Sequence, residues 1–290
     1  MWHKVLQQTE NALAKGALQP IPTNYEFVEE SGIHFLVRVV SNLERKHQAQ
    51  QQNANVIKGK DFNPFLPYEQ DLFVTDISDT HICLLNKFNI VDHHLLLVTR
   101  EFEEQESLLT HQDFEAMWIT LAEIDGLVFY NSGQAAGASQ RHKHLQVIPL
   151  PLTPEGVSIP IEVALKSIEF KDGVGRIPSF QFKHAIAPLN PSWVNSRSQA
   201  ASATLDCYHT LLRQLNLVDI SINSKPAPYN LLATREWMMI IARSQERFQS
   251  ISINSLGFAG ALLVRNEEQL QLVKELSPLT ILQNVAVSEE

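Results

Sequence analysis

The chain has 290 residues, 44% of them apolar and 19% charged, which describes a globular protein with length for one large or two modest folding units. Its formal charge of −9 excludes a sequence-independent duplex binder, which needs a positive footprint against phosphates. A small phosphorylated ligand stays open, because a pocket needs only a few local cations and backbone N–H donors.

The first helix is predicted over Trp2–Ala14, where Val5, Leu6, Leu13 and Ala14 stand among polar residues and Gly16 and Pro20 follow. This start carries no apolar signal segment, and no apolar run reaches the ~18 residues of a spanning helix. A cytoplasmic protein is expected, with no membrane partner. Only two cysteines occur, Cys83 and Cys207, so no disulfide framework or cysteine zinc motif can be built, and both are expected as buried free thiols. Ile33–Val40 is rich in β-branched residues and reads as a strand. The Gln/Asn-rich stretch 47–55 has too little apolar content to pack and is expected as a surface loop.

From Asn63-Pro-Phe-Leu-Pro-Tyr68 the chain becomes strand-dense. His81–Leu85 and 94–98 are short apolar runs separated by Asn86, Asn89 and Asp92, which suits antiparallel neighbours. His93 and His94 fall at the start of the second run and read as a surface turn. Thr110 followed by Asp113 predicts a capped helix, with Phe114, Met117, Trp118, Leu121 and Ile124 as its buried stripe and Gly126 as its stop. Glu101, Glu103, Glu104 and Glu106 read as a solvated acidic face. A strand is predicted at 127–130, then a small-residue stretch to Gln140, then a strand carrying a histidine pair. Prolines at 149, 151, 154 and 160 break up the chain after that strand. The polar stretch 184–203 reads as a connection, dividing an N-terminal region (1–183) from a C-terminal one (204–290). A helix is predicted over 204–217, a hairpin from Tyr229–Ala233 and Trp237–Ala242, further strand in 254–265, and a helix over Glu267–Leu276. Strands and helices mix without βαβ alternation, which predicts an α+β fold with an antiparallel sheet.

In His142-Lys-His144-Leu-Gln146, strand alternation puts His142, His144 and Gln146 on one face and Lys143, Leu145 and Val147 on the other. Three polar side chains aligned on an apolar strand are costly to bury without a purpose. Just before them lies Asn131-Ser-Gly-Gln-Ala-Ala-Gly137-Ala138-Ser139-Gln140. Small residues let a phosphate approach the backbone, and Asn, Ser and Gln add donors. Neither Gly-Lys-Ser/Thr nor Gly-x-Gly-x-x-Gly is present, and taken alone the stretch is equally a tight turn. Beside the histidines it reads as a phosphate cradle next to a nucleophile, since a neutral imidazole attacks phosphorus well near pH 7. A zinc-ligand pair is the competing reading of His-x-His, and it leaves the small-residue stretch unexplained.

These blocks together resemble the transferase branch of the histidine triad superfamily, and within it the ATP adenylyltransferases, or diadenosine tetraphosphate phosphorylases. The resemblance extends to Asn63-Pro-Phe-Leu-Pro-Tyr68, Leu85-Asn-Lys-Phe88, His93-His-Leu-Leu-Leu-Val-Thr99, Lys225-Pro-Ala-Pro-Tyr-Asn-Leu-Leu232 and Asn254-Ser-Leu-Gly-Phe-Ala-Gly260. It implies a HIT-like antiparallel sheet flanked by helices, with a C-terminal strand-rich extension completing the site. It also implies a two-step exchange through His144, with His142 and Gln146 as its catalytic companions: the dinucleotide gives ATP and an adenylyl-histidine, and phosphate then takes AMP to give ADP. Gln146 stands where the hydrolase branch carries a third histidine, which argues against release of AMP to water; a hydrolase and a non-catalytic nucleotide sensor are the alternatives. The resemblance puts Asn86, Lys87, Asn131, Gly137, Ala138, Ser139 and Gln140 around the phosphates, with Lys46 as a remote contact. Asn254, Ser255, Leu256 and Arg265 come from the C-terminal part, where Ala261 and Arg265 depart from the family's bulkier residue and lysine. Expected partners are small nucleotides and phosphate, not nucleic acid. No organic cofactor is implied, although a divalent cation such as Mg would ease repulsion along the polyphosphate.

Overall fold

A central antiparallel sheet carries the molecule, and a computed structural model describes it over residues 1–40, 62–218 and 225–289. In chain order the elements begin with α1 (Trp2–Ala14), β1 (Thr23–Glu30), β2 (Ile33–Val40), β3 (Phe73–Asp76), β4 (His81–Leu85) and β5 (Leu95–Thr99). Then come α2 (His111–Glu123), β6 (Gly126–Asn131), β7 (His144–Pro149), the short α3 (Glu162–Leu165), β8 (His184–Pro188) and α4 (Arg197–Gln214). The C-terminal part holds β9 (Tyr229–Ala233), β10 (Trp237–Ala242), the two-residue β11 (Arg247–Phe248) and β12 (Ile251–Ser252), and α5 (Ser255–Phe258). It ends with β13 (Ala261–Val264), α6 (Glu267–Leu276) and α7 (Pro278–Val285).

The eight-stranded sheet has the order β3-β4-β5-β7-β6-β9-β10-β8, with every neighbouring pair antiparallel. Its inner strands are buried on both faces, which explains why they read as continuous apolar runs rather than alternations. One face, with Val128, Tyr130, Leu145 and Val147, packs on α2 and α4 through Phe114, Trp118, Tyr208 and Leu211. The other, with Phe129, Ile148 and Leu232, packs on a second core shared with Phe35 of β2, Phe258 of α5 and Leu270 of α6. That second core lies under a three-stranded sheet in which β13 runs parallel to β2 and β1 antiparallel to it.

The local signals explain most boundaries. Thr110 and Asp113 form a reciprocal capping box at the start of α2. Gly126 does not stop that helix: α2 ends at Glu123, and Gly126 opens β6, where a Cβ would lie 3.1 Å from Ile148 O. The 184–203 stretch is more structured than a polar connection, since it holds β8 at the sheet edge, a turn at Pro191–Asn195 and the first residues of α4. Segment 254–265 begins as a short helix and becomes strand only at Ala261. Cys83 is buried and Cys207 half-buried, and burial pushes their thiols up to about 12 and about 11. Lys46 and the 47–55 stretch lie outside the described residues. Among the described residues no helix is long and apolar enough to cross a membrane.

Candidate active site

His144 opens β7 opposite Val98 of β5. The buried Gln105 side chain clamps its backbone from both sides, accepting from His144 N–H at 2.9 Å and donating to His144 O at 3.2 Å. The ring is 5% exposed, and Nδ1–H donates to His142 O at 2.8 Å. This bond sets the tautomer, leaving the lone pair on Nε2. Burial holds the imidazole at about 4, below its ordinary value, so the ring is neutral near pH 7.

His142 lies just ahead of β7 rather than on it, bridged to Glu104. Its Nε2–H points at Thr99 O, 2.8 Å away, and its Nδ1 accepts from Asn63 Nδ2 at 3.0 Å. Phe65 and Phe102 meet the ring at 5.7 and 5.5 Å between centroids. His142 is therefore a fixed post whose carbonyl orients His144. With both His142 nitrogens and His144 Nδ1 engaged, the pair does not offer two converging lone pairs to a zinc ion.

Gln146 lies on the same face as His144, and its amide is oriented by a relay that no local sequence signal announces. Asn86 Nδ2 donates to His94 Nδ1 at 3.0 Å, and His94 Nε2–H donates to Gln146 Oε1 at 2.9 Å. The carbonyl end of Gln146 is thereby occupied and its NH₂ end left to donate. His94 is buried at the start of β5 rather than on a surface turn, and burial holds it at about 4. His93, beside it, does take the turn, with φ 55° and its Nδ1 near Thr9 Oγ1. Lys87 is paired with Glu69 at 2.7 Å.

The small-residue stretch turns tightly through Gln134–Ala136, with Gly133 and Gly137 at φ 85° and 90°. The N–H groups of Gly137 and Ala138 close the turn onto Gln134 O and Gly133 O. Among the described residues the N–H groups of Ser139 and Gln140 carry no partner, so the donors left unused lie at that end of the stretch. A Cβ on Gly137 would meet Ile253 O at 2.9 Å and Asn254 Cα at 3.1 Å, so only glycine admits this contact with the C-terminal part. Asn254 caps α5 through Leu256 N–H, and Ser255 N–H donates to Asn131 Oδ1 at 2.9 Å. Asn131 Oδ1 also accepts from Asn230 Nδ2 at 2.8 Å, so Asn131 ties the sheet to α5. The structure thus brings Asn131, the 137–140 turn and 254–256 together. Arg265 follows β13 and is exposed, with its N–H on Gln269 Oε1 at 2.8 Å. No described hydrogen bond joins its side chain to the turn.

Behind β7, on the helix face, Lys143 is 1% exposed and donates to Glu103 at 2.6 Å, Leu108 O at 3.1 Å and Asp113 at 3.3 Å. Asp113 in turn meets His81 at 3.0 Å, and these contacts hold its carboxyl below its ordinary value against the opposing effect of burial. The acidic run is solvent-facing, as expected, and three of its carboxylates form ion pairs there, Glu103 with Lys143, Glu104 with Arg141 and Glu106 with Lys225.

Residues 1–167 match the family model described as the Ap4A phosphorylase N-terminal domain, and residues 178–288 the one described as the ATP adenylyltransferase C-terminal domain. The chain is 32% identical over 249 residues to diadenosine 5',5'''-P1,P4-tetraphosphate phosphorylase 2 of Saccharomyces cerevisiae, spanning 73% of this chain and 72% of that protein. The crystal structure of yeast Ap4A phosphorylase Apa2 superimposes with a TM-score of 0.79 at 25% identity, covering 99% of this chain and 94% of the other. The Apa2 complex with Ap4A gives the same TM-score at 24% identity, over 99% and 97%, a likeness of fold. On sequence and fold together, the chain belongs to the family of Ap4A phosphorylases that carry an ATP adenylyltransferase C-terminal domain.

Proposed function

We propose that this chain phosphorolyses diadenosine tetraphosphate through a covalent adenylyl-His144. The observation that carries the reading is His144 itself: a neutral ring whose Nδ1–H is held by His142 O, with the Nε2 lone pair kept for attack. In the first step Nε2 forms a bond to the α-phosphorus while the bond from that phosphorus to the bridging oxygen breaks, and ATP leaves with the electron pair. In the second, a phosphate oxygen bonds to the same phosphorus, the N–P bond returns its pair to Nε2, and ADP leaves. Both steps build negative charge on the equatorial oxygens. The NH₂ of Gln146 and the N–H groups of Ser139 and Gln140 are the donors suited to that charge. Lys87 can exchange Glu69 for an outer phosphate, and Asn86 acts through His94. Asn254, Leu256 and Arg265 are assigned to the nucleoside side of the substrate, together with the alanine at 261. A divalent cation is expected to enter on the polyphosphate oxygens, easing repulsion among them. The enzyme is assigned to the cytoplasm, with nucleotides and phosphate rather than nucleic acid as partners.

The deciding assay incubates the protein with Ap4A with and without phosphate. Phosphate-dependent ADP plus ATP supports the reading, and ADP formation indifferent to phosphate overturns it. AMP plus ATP without phosphate would identify a hydrolase; binding with no turnover, a sensor.

Three smaller effects are expected. Since His144 stays neutral to about pH 4, single-turnover adenylylation of the protein should lack an acid limb centred near 6.5, the free histidine value. A limb at that value would mean a solvated ring. Stability carries the same signature: His144 and His94 both sit below their unfolded values, so the stability of their neutral forms is full above about 6.5 and is lost as pH falls toward about 4. Replacing His94 by leucine frees the Gln146 carbonyl, and about a tenfold fall in kcat is expected with little change in KM. A rise in KM with kcat unchanged would count against the relay.

A further inference from the structure

Arg243, immediately after β10, is 2% exposed, and each nitrogen of its guanidinium donates to protein oxygens. Nε donates to Val285 O at 3.0 Å, and Nη1 to Asn230 Oδ1 and to Ala136 O, the latter at 3.3 Å. Nη2 donates to Gln245 O at 2.7 Å and Ile253 O at 3.0 Å, with Glu246 O at 3.4 Å. The guanidinium carbon lies 5.3 Å from the centre of the Phe258 ring. Among the described residues no carboxylate forms an ion pair with Arg243. The nearest acid along the chain, Glu246, turns its Oε1 to Arg247 at 3.2 Å and Ser252 at 2.6 Å.

A buried cation with no carboxylate in contact is costly: Glu246 acts on it only from a distance, and carbonyl dipoles satisfy its hydrogens without neutralising its charge. Burial accordingly pulls the guanidinium down to about 9. A structural tie alone does not need a charge. The two carbonyls it holds next to the site are informative: Ala136 immediately precedes Gly137, and Ile253 immediately precedes Asn254, the pair whose backbones touch. The positive charge therefore stands directly behind the turn and the C-terminal segment that meets it.

We propose that Arg243 is a positioning residue for the nucleotide phosphate, clamping Ala136 and Ile253 together and supplying the turn with a buried positive charge that the incoming anion offsets. The inference rests on the reading that the 137–140 turn receives a phosphate. A field source in a low-dielectric interior acts over several ångströms, so direct contact with the ligand is unnecessary.

The test measures Kd for AMP and for adenosine with the wild type, R243K and R243Q, alongside thermal melts. Both variants lose the fork, but only R243Q loses the charge. R243Q is expected to weaken AMP about tenfold while adenosine stays within about twofold, and R243K to keep most of the wild-type preference for AMP. Equal weakening of AMP and adenosine by R243Q, unchanged AMP binding, or equal loss in the two variants would overturn the proposal. If the wild type binds AMP no more tightly than adenosine, the reading of the turn fails instead. Should R243Q not fold, the wild type decides: the slowly exchanging Nε–H of Arg243 in 15N-arginine spectra should shift with phosphate and with AMP but not with adenosine. An identical response to adenosine and AMP would refute the charge role.

Discussion

His144→Ala is expected to lower phosphorolysis of Ap4A by about four orders of magnitude or more, because among the described residues no second nucleophile is poised on that face. Of the neighbouring imidazoles, His142 has both nitrogens engaged and His94 has its Nδ1 accepting and its Nε2–H donating. The direct measurement is trapping of an adenylyl-protein from substrate labelled at the α-phosphorus, in the absence of phosphate. The adduct should be stable to base, labile to acid and missing from His144→Ala. Its survival in the variant would assign the nucleophile elsewhere. The variant should still fold: Gln105 binds the backbone of residue 144 rather than its ring, and the lost packing against Phe65 lies at the edge of a small cluster.

Gln146→Ala carries the next largest effect, a fall of about 10²–10³ in kcat, the usual consequence of deleting one donor aimed at a developing oxyanion. The relay from Asn86 through His94 makes this donor unusually well oriented, so its loss should fall on kcat rather than KM. Gln146→His asks a different question. An imidazole there can give a proton to the departing oxygen in the first step and take one from an attacking water in the second, which an amide cannot do. The variant is therefore expected to divert part of the adenylyl-enzyme to water, seen as AMP appearing without phosphate. If AMP release stays at the wild-type level, the glutamine does not determine the choice between transfer and hydrolysis.

The buried His142–His144 pair and the small-residue turn beside it were legible because they are contiguous and their residue types are costly to bury. The antiparallel sheet was legible from short apolar runs bounded by turn residues. The features that escaped have a common character. His94 sits beside a true turn residue, His93, and nothing local distinguishes the buried one from its half-buried neighbour. Lys143 is a buried cation on the helix face, with partners from 103, 108 and 113 that only the folded sheet brings to it. Arg243 ends a strand of apolar residues and would be read as the polar stop of a hairpin; its six acceptors span residues 136 to 285. Gly126 was misread because a glycine after a helix usually ends it, whereas this one yields to close packing by β7.

The order of the main sheet has a consequence for the life of the chain. Strands β3, β4, β5, β7 and β6 fall within the stretch matched by the N-terminal model, and β9, β10 and β8 within that matched by the C-terminal one; the two groups meet along a single seam, β6 against β9. A ribosome that has released only the first group leaves β6 as a bare, largely apolar edge, an invitation to wrong pairing. Cut between residues 167 and 178, the two pieces should each be poorly soluble and inert alone. Co-expressed, they should rejoin along that seam and along the β2–β13 pairing of the smaller sheet into a working enzyme, which makes the chain a natural starting point for a split reporter.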